Sequence, residues 1–411
     1  MNDTNKRPLN IFVHRASEHL TNYDPHGDGL ICFSLLDGLQ KRGHHIFAYT
    51  NSVAINQPTP NLTIKTAQHK IPANSLAAWE YSWRAEQWLN QLLQQQQPID
   101  LVWRLHPYGI GCPYPPRTYG LPLLVGPLFH DWPQSHLNLS KEGQPRFGIG
   151  IGGLVAPIAE RGWQRTLQKA AMVICPTKTH AQTLQKQLPQ AQVVDLPVIV
   201  DLPPAIQAQQ ILERKPAFPT KPLQLVFVAN LVANKNPQVF CDIIRILQLS
   251  GIPTEGTILG DGSERTVLEA YCDEIGIASS VRFEGKVPNS AVYAYLQAAD
   301  FLISTSYGEP YGRSIAEAMA VGTPVVCHCS GGPAEFIDNG ADGLLMTELE
   351  AATYAAEISR IYHQPELWQK LSQGAKQTAS QWTSETIISR LEHYLTHILK
   401  RNEKIENITY N

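Results

Sequence analysis

Apolar and polar positions alternate along the chain in a way that predicts strands and helices in regular succession. A short apolar run at 9–14 precedes a segment at 30–41 whose apolar residues recur at helical spacing, and a second apolar run follows at 45–50. A strand, a helix and a strand in that order form a βαβ unit, which requires a parallel sheet. Further elements are predicted as strands at 99–105, 121–126, 172–176 and 193–197, and as a long helix at 73–97.

A proline-rich segment interrupts this alternation. Residues 201–222 contain five prolines and no strand pattern, so they are predicted to be a linker. The alternation then restarts, with strands predicted at 223–229, 255–259, 281–283, 301–305, 324–327 and 344–346. We therefore expect two doubly wound α/β domains, one over 1–200 and one over 223–380. Two such domains facing each other would hold a ligand in the cleft between them.

Composition and charge narrow the range of functions. The 411 residues are 43% apolar, which is enough to bury real cores, and the net charge of −3 gives no reason to expect nucleic-acid binding. Seven scattered cysteines, an odd number, fit a reducing compartment. The N-terminus lacks the apolar core of a signal peptide, and no apolar stretch approaches the ~20 residues that span a bilayer. A soluble, cytoplasmic protein is expected, with a peripheral membrane contact left open.

The triplet Cys327-His328-Cys329 is the cysteine cluster that suggests metal binding. It directly follows the apolar run at 323–326, and no second pair of ligands stands near it in the sequence. A strand end is therefore preferred over a zinc-type site. No metal site is predicted.

The segment 308–317 (GEPYGRSIAE) carries the clearest candidate chemistry. Tyr311-Gly312 is predicted to open a helix, which puts Glu309 just before the helix and Glu317 two turns into it. Backbone N–H groups at a helix start suit a phosphate or sugar oxygen, and a carboxylate accepts hydrogen bonds from the hydroxyls of a sugar or ribose. A helix cap and a solvated helix residue are the alternative roles of the two glutamates.

Two further loops follow predicted strands, where a ligand of such a sheet binds. The loop at 330–335 combines two glycines with a proline, which fits either an anion-binding helix start or a plain tight turn. Lys235 lies in the loop after the strand at 223–229. It is either a cation for a diphosphate or a solvated lysine.

Taken together, these motifs resemble the retaining glycosyltransferases of the two-Rossmann GT-B architecture, glycosyltransferase family 4 (glycosyl transferases group 1). The glutamate pair with seven residues between its members, the Gly-x-Pro-Val-Val strand, the Ser-Gly-Gly-x-x-Glu loop and the Leu-Gly-Asp-Gly turn at 259–262 occur in the family's order. The resemblance is strong over 223–346 and rests on architecture and scattered short motifs in the N-terminal half. It implies two Rossmann-like domains facing across a cleft, with a C-terminal helix over 381–411 that packs back on the N-terminal domain.

The resemblance assigns roles to residues of the second domain. Glu309 would contact the donor sugar near the reacting carbon, and Lys235 would lie on the diphosphate. Glu317 would bind the ribose hydroxyls. Backbone N–H donors to the sugar and phosphates would come from Tyr311, Gly312 and Arg313.

The resemblance also points to residues of the first domain. Gly27 and Gly29 look like the family's glycine-rich loop after the first strand, which approaches the donor. His130 resembles the histidine after the fourth strand that lies by the reacting sugar. His106, at the end of the preceding strand, is a second candidate.

The chain departs from the family at two positions. Ala229-Asn230 stands where the family carries Gly-Arg, whose arginine pairs with the diphosphate. Asn230 can hydrogen-bond a donor but carries no charge. Arg313 is a candidate substitute cation. Lys235-Asn236 likewise replaces the usual Lys-Gly.

The resemblance implies transfer of a sugar from a nucleoside diphosphate sugar to an acceptor hydroxyl, with retention of the anomeric configuration and without a metal or cofactor. The leaving phosphate would take the acceptor's proton, so no protein general base is assigned. The acceptor, whether a saccharide, a lipid-linked molecule or a small molecule, is not identified. The alternatives are a noncatalytic partner subunit and an epimerase or phosphorylase on the same scaffold.

Overall fold

The computed structural model describes residues 7–24, 26–67, 75–105, 115–127, 161–207 and 218–409. The chain divides into two compact units. The first unit comprises Met1–Ile199 together with Ser384–Asn411, and the second comprises Val200–Thr383. The two histidines proposed for the site, His106 and His130, lie outside the described residues.

The first unit is built on a seven-stranded parallel sheet with the strand order β5-β3-β1-β6-β7-β8-β9, and a separate parallel pair joins β2 to β4. Buried apolar residues dominate the central strands, as expected for a parallel sheet that is covered on both faces. The strands are β1 (Asn10–Val13), β2 (His19–Thr21), β3 (His45–Thr50), β4 (Ser52–Ala54), β5 (Leu62–Thr66), β6 (Leu101–Arg104), β7 (Leu123–Val125), β8 (Met172–Cys175) and β9 (Gln192–Asp195).

Helices cover both faces of this first sheet. They are α1 (Gly27–Lys41), α2 (Ser75–Gln94), α3 (residues 161–169) and α4 (Lys178–Gln187). Leu36 and Leu39 of α1 share a core with Ile11 and Val13 of β1. The neighbouring residue Phe12 points to the opposite face and packs with residues of α2 and α3. Successive strand residues therefore face opposite cores.

The second unit repeats this architecture with a six-stranded parallel sheet in the order β12-β11-β10-β13-β14-β15. Its strands are β10 (Leu223–Val228), β11 (Thr254–Leu259), β12 (Val281–Gly285), β13 (Phe301–Ser304), β14 (Val325–His328) and β15 (Leu344–Met346). Its helices are α5 (Pro237–Leu249), α6 (Arg265–Glu274), α7 (Asn289–Ala298), α8 (Arg313–Val321), α9 (Pro333–Phe336), α10 (Ala351–Tyr362) and α11 (Pro365–Ala379). Each unit is thus a doubly wound α/β domain.

The last helix, α12 (Ser384–Thr409), returns to the first unit. Its apolar residues recur at helical spacing and lie in the core that α1 and β1 share; they are Ile387, Ile388, Leu391, Leu395 and Ile398. Arg42, after the end of α1, pairs with Glu392 at 3.0 Å. Burial of each such side chain contributes about 1.5–3 kcal/mol. Across the described ranges, no helix is long and apolar enough to cross a bilayer.

The fold class of two parallel α/β domains is confirmed, whereas two details of the first unit differ from the predictions. Strands β2, β4 and β5 were not predicted because β2 and β4 have only 3 residues each and β5 is largely exposed, so none of them shows an extended buried pattern. Helix α1 begins at Gly27 rather than at Leu30. The side chain of His26 caps it by accepting a hydrogen bond from the Gly29 N–H, which compensates for two glycines of low helix propensity in its first turn.

In the second unit, the glycine loop after β14 packs against the segment that carries Glu309. The Gly332 N–H donates to the Glu309 carbonyl at 2.9 Å. A Cβ atom on Gly331 would lie 2.0 Å from the same carbonyl oxygen, and the φ angle of Gly331 is +62°. Position 331 therefore requires glycine for space as well as for backbone conformation.

A buried polar residue lies at the end of β1 in the first unit. His14 is 1% exposed, and its backbone N–H donates a hydrogen bond to the Trp103 carbonyl at 2.9 Å. Burial, followed by the charges of Arg104 and Arg15, lowers the pKa of His14 from 6.5 to about 3. The folded state therefore keeps this ring neutral in a pH range where the unfolded chain takes up a proton.

This difference predicts that stability falls as the pH falls below about 6.5. The unfolded state binds the extra proton between about pH 6.5 and 3, so His14 costs roughly 2 kcal/mol of unfolding free energy by about pH 5. We expect His14→Gln to flatten this part of the pH dependence in urea unfolding. The control His45→Gln, at the exposed start of β3, should keep the wild-type slope. Equal slopes in wild type and His14→Gln would contradict the prediction.

A second prediction concerns the glycine loop. We expect Gly331→Ala to lower the unfolding free energy by about 1–3 kcal/mol more than Gly340→Ala does, because only position 331 adds a backbone clash. Gly340 is the matched control, since its φ is +78° and open space surrounds its Cβ position. Urea unfolding of the two variants measures the difference, and equal losses would show that the loop can move away from Glu309.

Candidate functional site

The candidate residues of the second unit gather at one edge of its sheet. Strands β10, β13 and β14 run parallel and end at Val228, Ser304 and His328. The loops that follow them therefore emerge side by side, at the edge where parallel α/β sheets bind ligands.

Lys235 and Glu309 meet across two of these loops. The Lys235 Nζ lies 2.5 Å from Glu309 Oε2. The two side chains are 21% and 20% exposed, so the ion pair is partly shielded but open to a ligand. Lys235 could therefore bind an anionic group of a ligand, and Glu309 could bind a group that carries positive charge.

The backbone around Lys235 explains why asparagine can follow it. Asn236 adopts a left-handed conformation, with φ 47° and ψ 51°, which asparagine tolerates better than most residues. Its Nδ2 donates to the Thr305 carbonyl at 3.0 Å, and Thr305 Oγ1 donates back to the Lys235 carbonyl at 2.8 Å. Asn236 thus adopts the left-handed backbone conformation that glycine would adopt. Its side chain also joins the loop of Lys235 to the loop that carries Glu309 through a hydrogen bond.

Helix α8 starts next to this ion pair. Gly312 is its N-cap in a left-handed conformation, with φ 87° and ψ 58°, and makes no side-chain cap. The N–H groups of the first helical turn lack acceptors within the helix, so this start suits a phosphate or sugar oxygen. Because α8 begins at Arg313, Glu317 lies one turn into the helix, and the predicted two turns are wrong.

Glu317 is buried and held by neighbouring side chains. It is 3% exposed, and its Oε1 accepts hydrogen bonds from Arg313 Nε at 2.9 Å and from Asn289 Nδ2 at 3.1 Å. Arg313 also donates to Asn289 Oδ1 at 3.3 Å. Burial, and then the charge of Glu317, raise the pKa of the nearby Tyr293. A solvated position for Glu317 is therefore excluded, and its carboxylate has a fixed orientation.

The same contacts define the position of Arg313. Its Nε lies 2.9 Å from Glu317 Oε1, whereas Lys235 pairs with Glu309. The arrangement favours a role in holding Glu317 over a role as substitute cation for a diphosphate.

Asn230 lies in the first of the three loops. It is exposed, and the Leu231 N–H beside it donates to the Asp261 carbonyl at 3.0 Å. The Leu259-to-Gly262 turn therefore packs on this loop and holds it at the edge of the sheet. The side-chain amide of Asn230 is therefore accessible to a ligand, but it is neutral.

Packing within the second unit accounts for the positions of Tyr311 and of the cysteine triplet. Tyr311 is buried, with its ring 5.4 Å from that of Phe336 and 6.5 Å from that of Trp382. Cys327 is a buried residue of β14, and Cys329 follows the strand end exposed. The triplet is thus the end of a strand. Within the described ranges, no group of three metal-binding side chains occurs.

In the first unit, Gly27 and Gly29 form the first turn of α1. A Cβ atom on Gly29 would lie 2.0 Å from the His19 carbonyl oxygen, so packing inside the unit already requires glycine there. Around Gly27 there is open space within 4 Å. Of the two, only Gly27 lacks a packing reason to be glycine.

Two residues of the site were missed by the sequence analysis, namely Asn289 and Thr305. Each acts through hydrogen bonds to a candidate residue distant in sequence. Asn289 follows Pro288 at the start of α7, where an asparagine is unremarkable in sequence. No spacing rule links either residue to its partner, so only the tertiary structure reveals them.

Comparison with known proteins finds a family similarity over most of the second unit. Residues 208–378 match the family model described as glycosyl transferases group 1. A D-inositol 3-phosphate glycosyltransferase from Thermomonospora curvata is 28% identical over 187 residues, which cover 43% of this chain and 43% of the relative. The matches to the first curated relatives span about half of each relative's length.

Solved structures share the fold of the whole chain. The sucrose-phosphate synthase of Thermosynechococcus elongatus has a TM-score of 0.71 and 17% identity, covering 96% of this chain and all of that one. The Anabaena protein HepE, in complex with UDP and glucose, has a TM-score of 0.66 and 18% identity, covering 95% of this chain and all of that one. These likenesses confirm the fold of two Rossmann-like domains. The similarity to the family of glycosyl transferases group 1 covers residues 208–378.

Proposed function

We propose that the protein transfers a sugar from a nucleoside diphosphate sugar to an acceptor hydroxyl, with retention and without a divalent metal. The observation that carries the proposal is the Lys235–Glu309 ion pair at the carboxyl edge of the second sheet, beside the start of α8. This edge lies in the segment that matches the family. HepE, which shares the fold, is in complex with UDP and glucose, which supports a nucleotide sugar as donor.

Lys235 would stabilise the leaving diphosphate. In the absence of a donor its charge is balanced by Glu309. A diphosphate brings more negative charge to the same place, so the ammonium group would be shared between phosphate and carboxylate. As the bond to the sugar breaks, charge builds on the phosphate, and a cation and a helix start fixed in advance stabilise that charge more than they stabilise the bound donor.

Glu309 would stabilise the positive charge that develops on the sugar as its bond to the phosphate breaks. The transition state resembles an oxocarbenium ion, so a carboxylate beside the reacting carbon is favourable. The glycine loop after β14 holds the Glu309 backbone, and Lys235 holds its carboxylate. The leaving phosphate then accepts the proton of the acceptor hydroxyl, so this mechanism requires no general base from the protein.

A noncatalytic binding subunit is the second candidate, and Asn230 favours it. The family's arginine at this position would pair with the diphosphate, whereas the exposed amide of Asn230 supplies no charge. Donor binding and donor turnover separate the two candidates.

The test is donor binding and turnover in a panel of UDP-, GDP- and ADP-sugars. We expect one nucleotide to raise the thermal stability, and its sugar to be hydrolysed slowly without an acceptor. Glu309→Gln should retain nucleotide binding and lose roughly 100-fold or more in turnover, while Lys235→Met should weaken both. Glu357→Gln, which changes a partly exposed carboxylate on α10 that pairs with Arg360, is the matched control.

Each outcome decides between the candidates. Full turnover in Glu309→Gln would refute the assignment of this residue. Binding without turnover in the wild type would support the noncatalytic subunit. No stabilisation by any nucleotide would overturn the donor site itself.

The hydrogen bonds on Glu317 generate a further prediction. If Glu317 binds the ribose hydroxyls, Asn289→Ala releases one of its anchors and should raise KM for the donor roughly tenfold with kcat nearly unchanged. The variant should also discriminate less between UDP and 2′-deoxy-UDP in direct binding. Ser290→Ala, at the next exposed position of α7, is the control. Unchanged discrimination in Asn289→Ala would remove Glu317 from the ribose site.

A further inference from the structure

Tyr307 displays an aromatic ring at the carboxyl edge of the second sheet. It lies in the loop after β13, two residues before Glu309, and it is 70% exposed. Single exposed aromatic residues are common on protein surfaces, so exposure alone does not indicate a binding site. The position of this ring beside the candidate residues, and the contacts that hold it, distinguish it from an ordinary surface tyrosine.

Two hydrogen bonds hold the backbone at Tyr307. Its N–H donates to the Asn234 carbonyl at 3.1 Å, in the loop that carries Lys235. The next N–H, that of Gly308, donates to Ser330 Oγ at 3.1 Å, in the glycine loop after β14. The tyrosine is therefore joined to both neighbouring loops of the site. A ligand that contacts its ring would meet backbone that is already ordered, which lowers the entropic cost of binding.

The ring of Tyr307 also stacks on the ring of His328, the last residue of β14. The ring centres are 5.8 Å apart and the planes differ by 23°. An offset stack of this kind is favourable for two aromatic rings. His328 is half-buried, and its Nδ1 lies 3.0 Å from the Met346 carbonyl oxygen of β15. An imidazole that is fixed to the sheet therefore supports the exposed tyrosine ring.

The hydrogen bond at Nδ1 determines what His328 offers to a ligand. A carbonyl oxygen only accepts, so Nδ1 carries the proton, and Nε2 of the neutral ring is an acceptor. Nε2 has no hydrogen-bond partner within the described ranges. The two rings together present an apolar face and a neutral hydrogen-bond acceptor beside the loop of Glu309.

A pyranose ring matches this combination. Its C–H groups form an apolar face that suits an aromatic ring, and its hydroxyls donate to a neutral acceptor. A diphosphate has no apolar face, and Lys235 is its proposed partner. The base of the nucleotide is joined to the ribose, which is proposed to lie at Glu317. Glu309, in the same loop as Tyr307, is proposed to lie beside the sugar.

We propose that Tyr307 and His328 bind the sugar of the donor, with the tyrosine ring against the C–H face of a pyranose and His328 Nε2 accepting from one of its hydroxyls. This inference rests on the proposed transferase function. The two residues would contribute to the choice of sugar, whereas Lys235 and Glu317 would bind the nucleotide part that such donors share.

Calorimetric titration compares each nucleotide with its sugar ester: UDP with UDP-glucose, GDP with GDP-mannose, and ADP with ADP-glucose. The pair that binds the wild type most tightly is then measured in the variants. We expect Tyr307→Ala to raise the Kd of the nucleotide sugar roughly tenfold and to leave the Kd of the nucleotide within about twofold. Because the ring is exposed, this variant should fold as the wild type does, which thermal unfolding checks.

Further variants separate the aromatic face from the acceptor. Tyr307→Phe keeps the face and should keep the affinity for the nucleotide sugar. His328→Phe keeps a ring for stacking but lacks Nε2, so it should raise the Kd of the nucleotide sugar roughly threefold. Trp83→Ala, which removes a 55% exposed aromatic ring from α2 of the first unit, is the matched control and should bind both ligands as the wild type does.

The outcomes separate this inference from the proposed function. Equal losses of nucleotide and nucleotide-sugar affinity in Tyr307→Ala would assign the ring to the nucleotide and overturn the inference. Wild-type affinity for both ligands in Tyr307→Ala, or a loss in Tyr307→Phe as large as in Tyr307→Ala, overturns it and leaves the transferase proposal standing. A wild type that binds none of the nucleotides contradicts the proposed function, and the inference falls with it.

Discussion

The hydrogen bonds between parallel strands β10, β13 and β14 determine where the candidate residues of the second unit lie. Parallel strands end at the same edge, so three loops from distant parts of the sequence emerge together. The Lys235–Glu309 pair exists only because of this register. The sheet and the hydrogen bonds between the loops hold the loops in place together with this partly shielded pair.

Backbone contacts between the loops supply the precision that the sheet lacks. Asn236 and Thr305 exchange hydrogen bonds between the first two loops, and Gly332 bonds the Glu309 carbonyl from the third. Glu317 is fixed in a different way, by two side chains that hold the same carboxylate oxygen. The site therefore has a hydrogen-bonded frame around a partly exposed pair of opposite charges.

Much of this arrangement could be predicted from the sequence, because hydrophobic periodicity reports burial and fixed spacing reports local geometry. The parallel sheets, the loop before α8 and the strand that contains Cys327 follow from such patterns. The short strands β2 and β4 could not be predicted, since 3 residues are too few to show a periodic pattern. The anchoring of Glu317 by Asn289 joins positions 28 residues apart and leaves no periodic signal. Arg313 and Glu317 are four residues apart, a spacing at which helical side chains pair. The same sequence also fits a role of Arg313 at a phosphate, so the spacing alone does not distinguish the two roles.

The return of α12 to the first unit has a consequence for the order of folding. The second unit is one continuous segment, Val200–Thr383, and the Val200 N–H donates to the Trp382 carbonyl at 2.8 Å, so its two ends lie side by side. The first unit, in contrast, needs Leu395 and Ile398 to fill its core. During synthesis from the N-terminus, the inserted unit can close on itself before the unit that was started first. Until the residues of α12 leave the ribosome, the apolar residues that they cover in the first unit lack these partners, and exposed apolar surface of this kind favours aggregation.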